Sequence, residues 1–216
     1  MTPRTSPLDS IHRPSPHATI GALALGLLSL VAGTASAASS GFHVGLGFGA
    51  GHLDLSDQLE SGLAAGGVTL DPDAGGGYLR AGYTFNPQLQ LDLVFSGLDL
   101  ETGDPDVAAA YGEARLEVLS QFRSEGAVRP YVAGSVGGAF LGIGPDDDDL
   151  HELEGSVASF GGGLDFEVSR RWTLGFDYRY GVTSFERKDI DLPLGEVELD
   201  GSATSHTWGA RFDFNF

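Results

Sequence analysis

The last nine residues, Trp208 to Phe216, constrain the fold more than any other stretch. Trp208, Ala210, Phe212, Phe214 and Phe216 fall on one side of an extended chain, and Gly209, Arg211, Asp213 and Asn215 on the other. Side chains alternate faces along a strand, so this segment reads as a β-strand with an aromatic face and a charged face. A sandwich in water would turn the aromatic face into a core. A wall between lipid and a lumen would turn it outward and the charges inward. The rest of the chain favours the second arrangement.

Six further stretches alternate in the same way, and a seventh has their length but no clear facing. Phe42, Val44, Leu46 and Phe48 stand opposite His43, Gly45, Gly47, Gly49 and Gly51. Around 75–86, Leu79, Ala81, Tyr83 and Phe85 stand opposite Tyr78, Arg80, Gly82 and Thr84. Around 88–100, Leu89, Leu91, Leu93 and Phe95 oppose Gln90, Asp92 and Ser96. Around 109–124, Leu116, Val118 and Phe122 oppose Glu113, Arg115, Glu117 and Arg123. Stretch 130–143 is apolar and Gly-rich on both faces, so its facing stays open. Around 155–169, Phe160, Leu164 and Phe166 oppose Asp165 and Glu167, and around 171–185, Trp172, Phe176 and Tyr180 oppose Asp177 and Arg179. No segment reads as a convincing amphipathic helix.

The connections alternate in length. Short turns are expected at Asn86-Pro87, Ser124-Glu125-Gly126 and Ser169-Arg170, and long loops near 56–74, 101–108, 144–154 and 186–200. Both chain ends then share the short-turn side. The expected fold is all-β: an eight-stranded, antiparallel, transmembrane up-and-down β-barrel, with short turns on one side and long loops on the other. The charged face collects Arg80, Asp92, Glu113, Arg115, Glu117, Arg123, Asp165, Glu167, Asp177, Arg179, Arg211 and Asp213. Its near balance of sign suits an ion-pair network in a narrow lumen, where a guanidinium fork matches carboxylates. The chain's 33 glycines, about double the usual share of roughly 7%, leave room there for long side chains. A soluble lipocalin-like barrel predicts the reverse facing.

The N-terminus reads as an export signal. Arg4 and Arg13 precede an apolar run from Ile20 to Ala32, and Ala35-Ser36-Ala37 is a small-x-small cleavage site. Residues 1–37 are therefore expected to be a cleaved signal peptide and 38–216 the barrel domain. The absence of cysteine removes disulfides and thiolate sites. A net charge of −18 argues against nucleic acid as a partner.

With Gly41-Phe-His-Val-Gly-Leu-Gly-Phe-Gly in the first strand, Arg129-Pro-Tyr-Val-Ala-Gly in the fifth and the aromatic strand ending at Phe216, the chain resembles the small outer-membrane β-barrels of Gram-negative bacteria, the OmpA/OmpX type. The resemblance covers about 41–216 and implies a place in the cell outer membrane, termini periplasmic and long loops extracellular. It implies that Phe216, with Trp208, Phe212 and Phe214, forms the signal read by the barrel-assembly machinery. Because the sequence stops at the last strand, no peptidoglycan-binding domain is expected after it, so the resemblance brings no role as a cell-wall tether.

Motifs for chemistry are weak. Gly45-x-Gly47-x-x-Ala50 lacks the βαβ unit a dinucleotide site needs. Ser205-His206 is the one adjacent Ser/His pair, but strand neighbours point to opposite faces. No enzyme activity and no cofactor are expected. The four long loops, taken as 56–74, 99–108, 144–154 and 186–200, hold 20 acids against Arg187 and Lys188, while Arg129, Arg170 and Arg171 mark the turn side. Asp146, Asp147, Asp148, Asp149, Glu152 and Glu154 form a candidate weak Ca²⁺ or Mg²⁺ site, weighed against a plain solvated loop. Expected partners are membrane lipid and lipopolysaccharide, divalent cations at the acidic loops and the assembly machinery. The expected role is structural or surface-interacting with a packed lumen. The alternatives are a narrow porin-like channel for small solutes and a barrel enzyme acting on lipid A or peptides.

Overall fold

The computed structural model describes residues 40–86, 88–122, 128–145 and 151–216. The leader assigned to 1–37, Arg123, the turn at 124–126 and Asp146 to Asp149 lie outside them. Eight strands follow in chain order: β1 (Gly41–Leu55), β2 (Leu70–Asn86), β3 (Leu89–Thr102), β4 (Val107–Gln121), β5 (Val128–Pro145), β6 (His151–Glu167), β7 (Trp172–Leu192) and β8 (Gly195–Asn215). Each pairs antiparallel with the next, and β8 closes on β1, giving an up-and-down closed barrel. Closure leaves no strand edge in the wall, which is what a bilayer demands of a sheet. Both ends of the barrel chain lie at one rim, the terminal rim; the opposite one is the loop rim.

Alternation sorts the side chains as lipid requires. Phe42, Phe48, Phe95, Phe122, Val136, Phe160, Phe176 and Phe212 are all exposed on the outer wall. Arg80, Asp92, Glu117, Arg179, Arg211 and Asp213 are buried on the inner one. The facing of β5, open in the sequence, is settled by its register. Tyr131, Ala133 and Ser135 pair across from Gln121, Leu119 and Glu117 and turn inward, and Val132 and Val136 turn out.

Three of the expected long loops are wholly or partly regular structure. Region 56–74 contains a helix, α1 (Asp57–Ala65), and the start of β2. Half of region 101–108 is the ends of β3 and β4, and β7 and β8 run to Leu192 and from Gly195, so 186–200 is a two-stranded hairpin. On β8 the alternation keeps its phase, whereas on β7 a bulge between Phe185 and Lys188 shifts it by one residue; beyond it Ile190, Leu192 and Leu199 are buried, and Asp189, Asp191, Glu196 and Glu198 are exposed. The expectation of no helix is likewise corrected. Leu59 and Leu63, one turn apart, are both buried. Asp57 and Glu60 in the first turn suit the positive end of the helix dipole. The helix ends where Val68 N–H donates to Leu63 O at 2.9 Å, a reversal that puts Gly67 at φ +86°, where a glycine escapes the Cβ penalty.

These extensions build a second core. Leu53, Leu98, Tyr111, Leu141, Ile143, Leu153, Val157, Phe185, Ile190 and Leu199 fill the loop-rim half of the lumen, and Leu59 and Leu63 of α1 close it from above. Ser56 N–H donates to Ser202 O at 2.8 Å, and Leu194 N–H to Gly66 O at 3.2 Å, tying both ends of the helix segment to the hairpin.

Candidate functional site: the ion-paired lumen

The terminal-rim half of the lumen is charged, and Arg211 is its hub. Arg211 is 0% exposed. Its Nε donates to Asp213 at 2.8 Å and its Nη1 to Asp177 at 3.1 Å; further donors reach Asp165 and the Tyr131 hydroxyl. Its guanidinium carbon also stands 4.9 Å from the centroid of the Tyr131 ring. Facing it, Arg80 donates to Asp92 and lies 3.7 Å from Asp213. Arg179 grips Glu117 with two parallel bonds of 2.9 and 3.0 Å, the fork geometry only arginine offers. Arg115 pairs with Glu113.

Glycines make this density feasible. A methyl on Gly175 would sit 2.7 Å from Cγ of Arg211, and one on Gly161 would sit 2.8 Å from Cδ of Arg179. The space a side chain would fill on one strand is taken by an arginine from the next.

Of the twelve residues assigned to the lumen, ten converge on these pairs. Glu167 stands apart at the terminal rim, 3.7 Å from Arg129, and Arg123 lies outside the described residues. Polar side chains that the sequence did not single out join the network, Gln121 among them through a 2.9 Å bond to Asp165. His43 bonds to Asp92 at 2.7 Å, Tyr78 donates to Asp177 at 2.7 Å, Tyr111 donates to Glu113 at 2.6 Å, and Tyr131 takes Arg211. The three tyrosines share the strand parity of a charged neighbour (Tyr78 with Arg80, Tyr111 with Glu113, Tyr131 with Arg129), and that parity was the available signal; His43 has no charged neighbour of its parity on β1.

The other assigned residues lie elsewhere. Trp208 and Phe212 stand exposed on the outer wall of β8. Phe214 packs edge-on to Trp172 and to Phe216, with ring centroids 4.9 and 4.8 Å apart. Glu152 and Glu154 point outward from β6 with Leu153 buried between them. No cluster able to hold a metal ion occurs among the described residues. Ser205 is buried in the lumen, whereas His206 turns out to meet the Tyr178 hydroxyl at 2.7 Å. The barrel wall separates them, so they cannot exchange a proton directly.

The fold has solved counterparts. Neisserial surface protein A aligns with a TM-score of 0.60 at 15% identity, over 83% of this chain and 100% of that chain. The outer membrane protein AlkL aligns with a TM-score of 0.54 at 17% identity, over 86% of this chain and 94% of that one. Ail, the attachment invasion locus protein of Yersinia pestis, aligns with a TM-score of 0.50 at 14% identity, over 82% and 100%. At such identities the likeness is one of fold. No curated protein matches the chain. Residues 20–216 match the family described as the outer membrane protein beta-barrel domain, and the chain belongs to that family.

Proposed function

We propose that the protein is a non-conducting, non-enzymatic outer-membrane barrel that holds a rigid acidic surface above the lipid. In this reading residues 1–37 are removed on export, and the terminal rim with both barrel ends faces the periplasm. The hairpins of the loop rim stand outside the cell. Trp208, Phe212, Phe214 and Phe216 serve the assembly machinery during insertion.

The carrying observation is that the barrel axis is filled at two levels of opposite chemistry. Arg211, Arg80 and their carboxylates cross it in the terminal half, and the apolar side chains under α1 cross it in the loop half. An eight-stranded barrel has an interior just wide enough for side chains to fill, so little space remains for solute. The test is single-channel recording of the folded barrel in planar bilayers. No steady conductance is expected; a stable open level abolished by bulky lumen substitutions would overturn the packed-lumen reading.

The outward carboxylates of the loop-rim strands favour cationic partners or bridging divalent ions toward phosphate-rich lipopolysaccharide. Ail has been crystallised with a heparin analogue, sucrose octasulfate, which is a polyanion. The acidic exterior here argues against such a ligand. Binding of a polylysine probe, and not of a sulfated glycan, is the expected outcome for barrels in nanodiscs.

A further inference from the structure

Two cations of the terminal rim stand without an anionic partner. The other described arginines each face a carboxylate, from Arg80 with Asp92 to Arg211 with Asp165, and Lys188 donates to Glu152 O. Arg170 and Arg171 are exposed, and neither side chain has an ion-pair or hydrogen-bond partner among the described residues. Acid is not scarce in a chain with 30 acidic residues against 12 basic ones. The carboxylate nearest in sequence, Glu167, lies 3.7 Å from Arg129 instead.

The two arginines are the corners of the turn from β6 to β7. Trp172 N–H donates to Ser169 O at 3.2 Å across them, Ser169 Oγ accepts from Arg171 N–H at 3.3 Å, and Asn215 N–H donates to Arg171 O at 2.8 Å. The turn is thereby fastened to β8. Val168 on one side of it is 68% exposed and Trp172 on the other is 48% exposed, with Phe214 edge-on to the indole. Exposed apolar side chains on the outer wall meet lipid, and an interfacial tryptophan sits at headgroup depth. Both guanidiniums therefore stand where hydrocarbon gives way to headgroups, with stems long enough to lie along the apolar wall.

Chemistry selects the occupant. A guanidinium fork matches phosphate oxygens two at a time. Arg170 also borders the lumen mouth at this rim, but Asp165, Glu167 and Asp213 line that mouth and disfavour a free anion there. On the lipid side the turn is flanked by Val168 and Trp172, which carry no charge. A zwitterionic headgroup brings its own ammonium to its phosphate, so a net-negative one gains more from two unpaired arginines. We propose that the Ser169–Trp172 turn is a docking site for the phosphate of an anionic phospholipid in the adjoining leaflet. The site rests on the proposed periplasmic facing of the terminal rim only in saying which leaflet that is.

Trp172 reports on the site. In a Trp208→Phe barrel refolded into phosphatidylcholine vesicles it is the sole tryptophan. Quenching by brominated phosphatidylglycerol is compared with quenching by brominated phosphatidylcholine at equal mole fraction. A preference for phosphatidylglycerol of roughly fivefold or more is expected, the scale of one basic side chain at an anionic surface. It should fall to near unity in Arg170→Gln/Arg171→Gln. The reciprocal Trp172→Phe barrel, read through Trp208, should not respond to those two substitutions. Equal quenching by the two lipids in the barrel with both arginines, or a preference that survives their loss, would overturn the site. So would removal of the preference by added inorganic phosphate, the mark of a free-anion site. Both leaflets of these vesicles are alike, so the result is independent of how the barrel faces in the cell. Facing is read separately with Ser169→Cys, in a chain that has no other cysteine. In intact cells it should resist a maleimide-polyethylene glycol too large to cross the outer membrane; labelling would overturn the periplasmic placement alone.

Discussion

The two halves of the barrel use one strand pattern for opposite ends. In the terminal half of β8, Arg211 and Asp213 point into the lumen and Phe212 and Phe214 point out. In the loop half of the same strand, Leu199 and Ala203 point in, and Glu198 and Ser202 point out. The backbone alternation does not change between them. What changes is the medium outside the wall: lipid beside Phe212, water beside Glu198. Each half keeps apolar groups away from water by turning them toward whatever else is available, lipid in one case and a private core in the other.

The comparison breaks most readily at its charged hub. Arg211→Met leaves Asp165, Asp177 and Asp213 buried with their shared counter-charge gone. Removing one partner of a buried pair costs about 3–5 kcal/mol. A drop of that size in unfolding free energy is expected from urea titrations in lipid vesicles. A change below about 1 kcal/mol would mean that pairing does not hold this half together. The apolar half should fail by a different route. Leu141→Ala opens a cavity in a core where Leu141 is 0% exposed, at a cost of about 2–5 kcal/mol, near the middle of that range if the site only partly collapses. The two losses should differ in salt dependence: the apolar one should be indifferent to added salt.

The outer wall gives a sharper contrast at a smaller cost. Val136 is 64% exposed on the lipid-facing side of β5, and Glu154 is exposed on the next strand toward the loop rim. Val136→Arg should lose about 2–3 kcal/mol if it meets the bilayer interior. Glu154→Arg should stay within about 0.5 kcal/mol, as solvated positions do. Equal effects at the two sites would erase the boundary between the halves.

Much of the terminal half was legible because lipid forbids charge on one face, and the ban prints a clean alternation around residues such as Arg211 and Phe212. The loop half was not, in part because a bulge on β7 between Phe185 and Lys188 moves the buried positions from odd to even numbers. Acidic residues at every second position, as at Asp189, Asp191, Glu196 and Glu198, look like a solvated loop until Ile190, Leu192, Val197 and Leu199 are given something to pack on. That something is α1, a helix of nine residues anchored through Leu59 and Leu63 and bounded by glycines at 66 and 67. Two anchors are too few to stand out. The fifth strand hid its facing for a separate reason: both of its faces are apolar, and the inward assignment of Tyr131 comes from hydrogen-bonded register with Gln121. Within the lumen the charges were legible one by one, whereas their pairing was not, since Arg211 reaches Asp165 across 46 positions of sequence.

The smallest expected effect locates the boundary itself. On β1 the outward run Phe42, Val44, Leu46, Phe48, Ala50 ends at His52, the first polar side chain toward the loop rim. His52 Nδ1 lies 2.7 Å from Asp73 and Nε2 lies 3.1 Å from Asp54, so the doubly protonated ring can donate on both sides. The hydrogen bond to Asp73 chiefly raises its pKa above the ordinary 6.5, helped by the charge of Asp54. Because the folded value is raised, the associated stabilisation is complete below the unfolded pKa and disappears as pH climbs through the folded one. Lipid contact would act in the opposite sense, since desolvation disfavours the imidazolium. An NMR titration of the ring should therefore give a midpoint above 6.5 that falls in Asp73→Asn. A midpoint below that value in the unsubstituted barrel would place His52 in the lipid-facing half and move the change of medium further toward the loop rim.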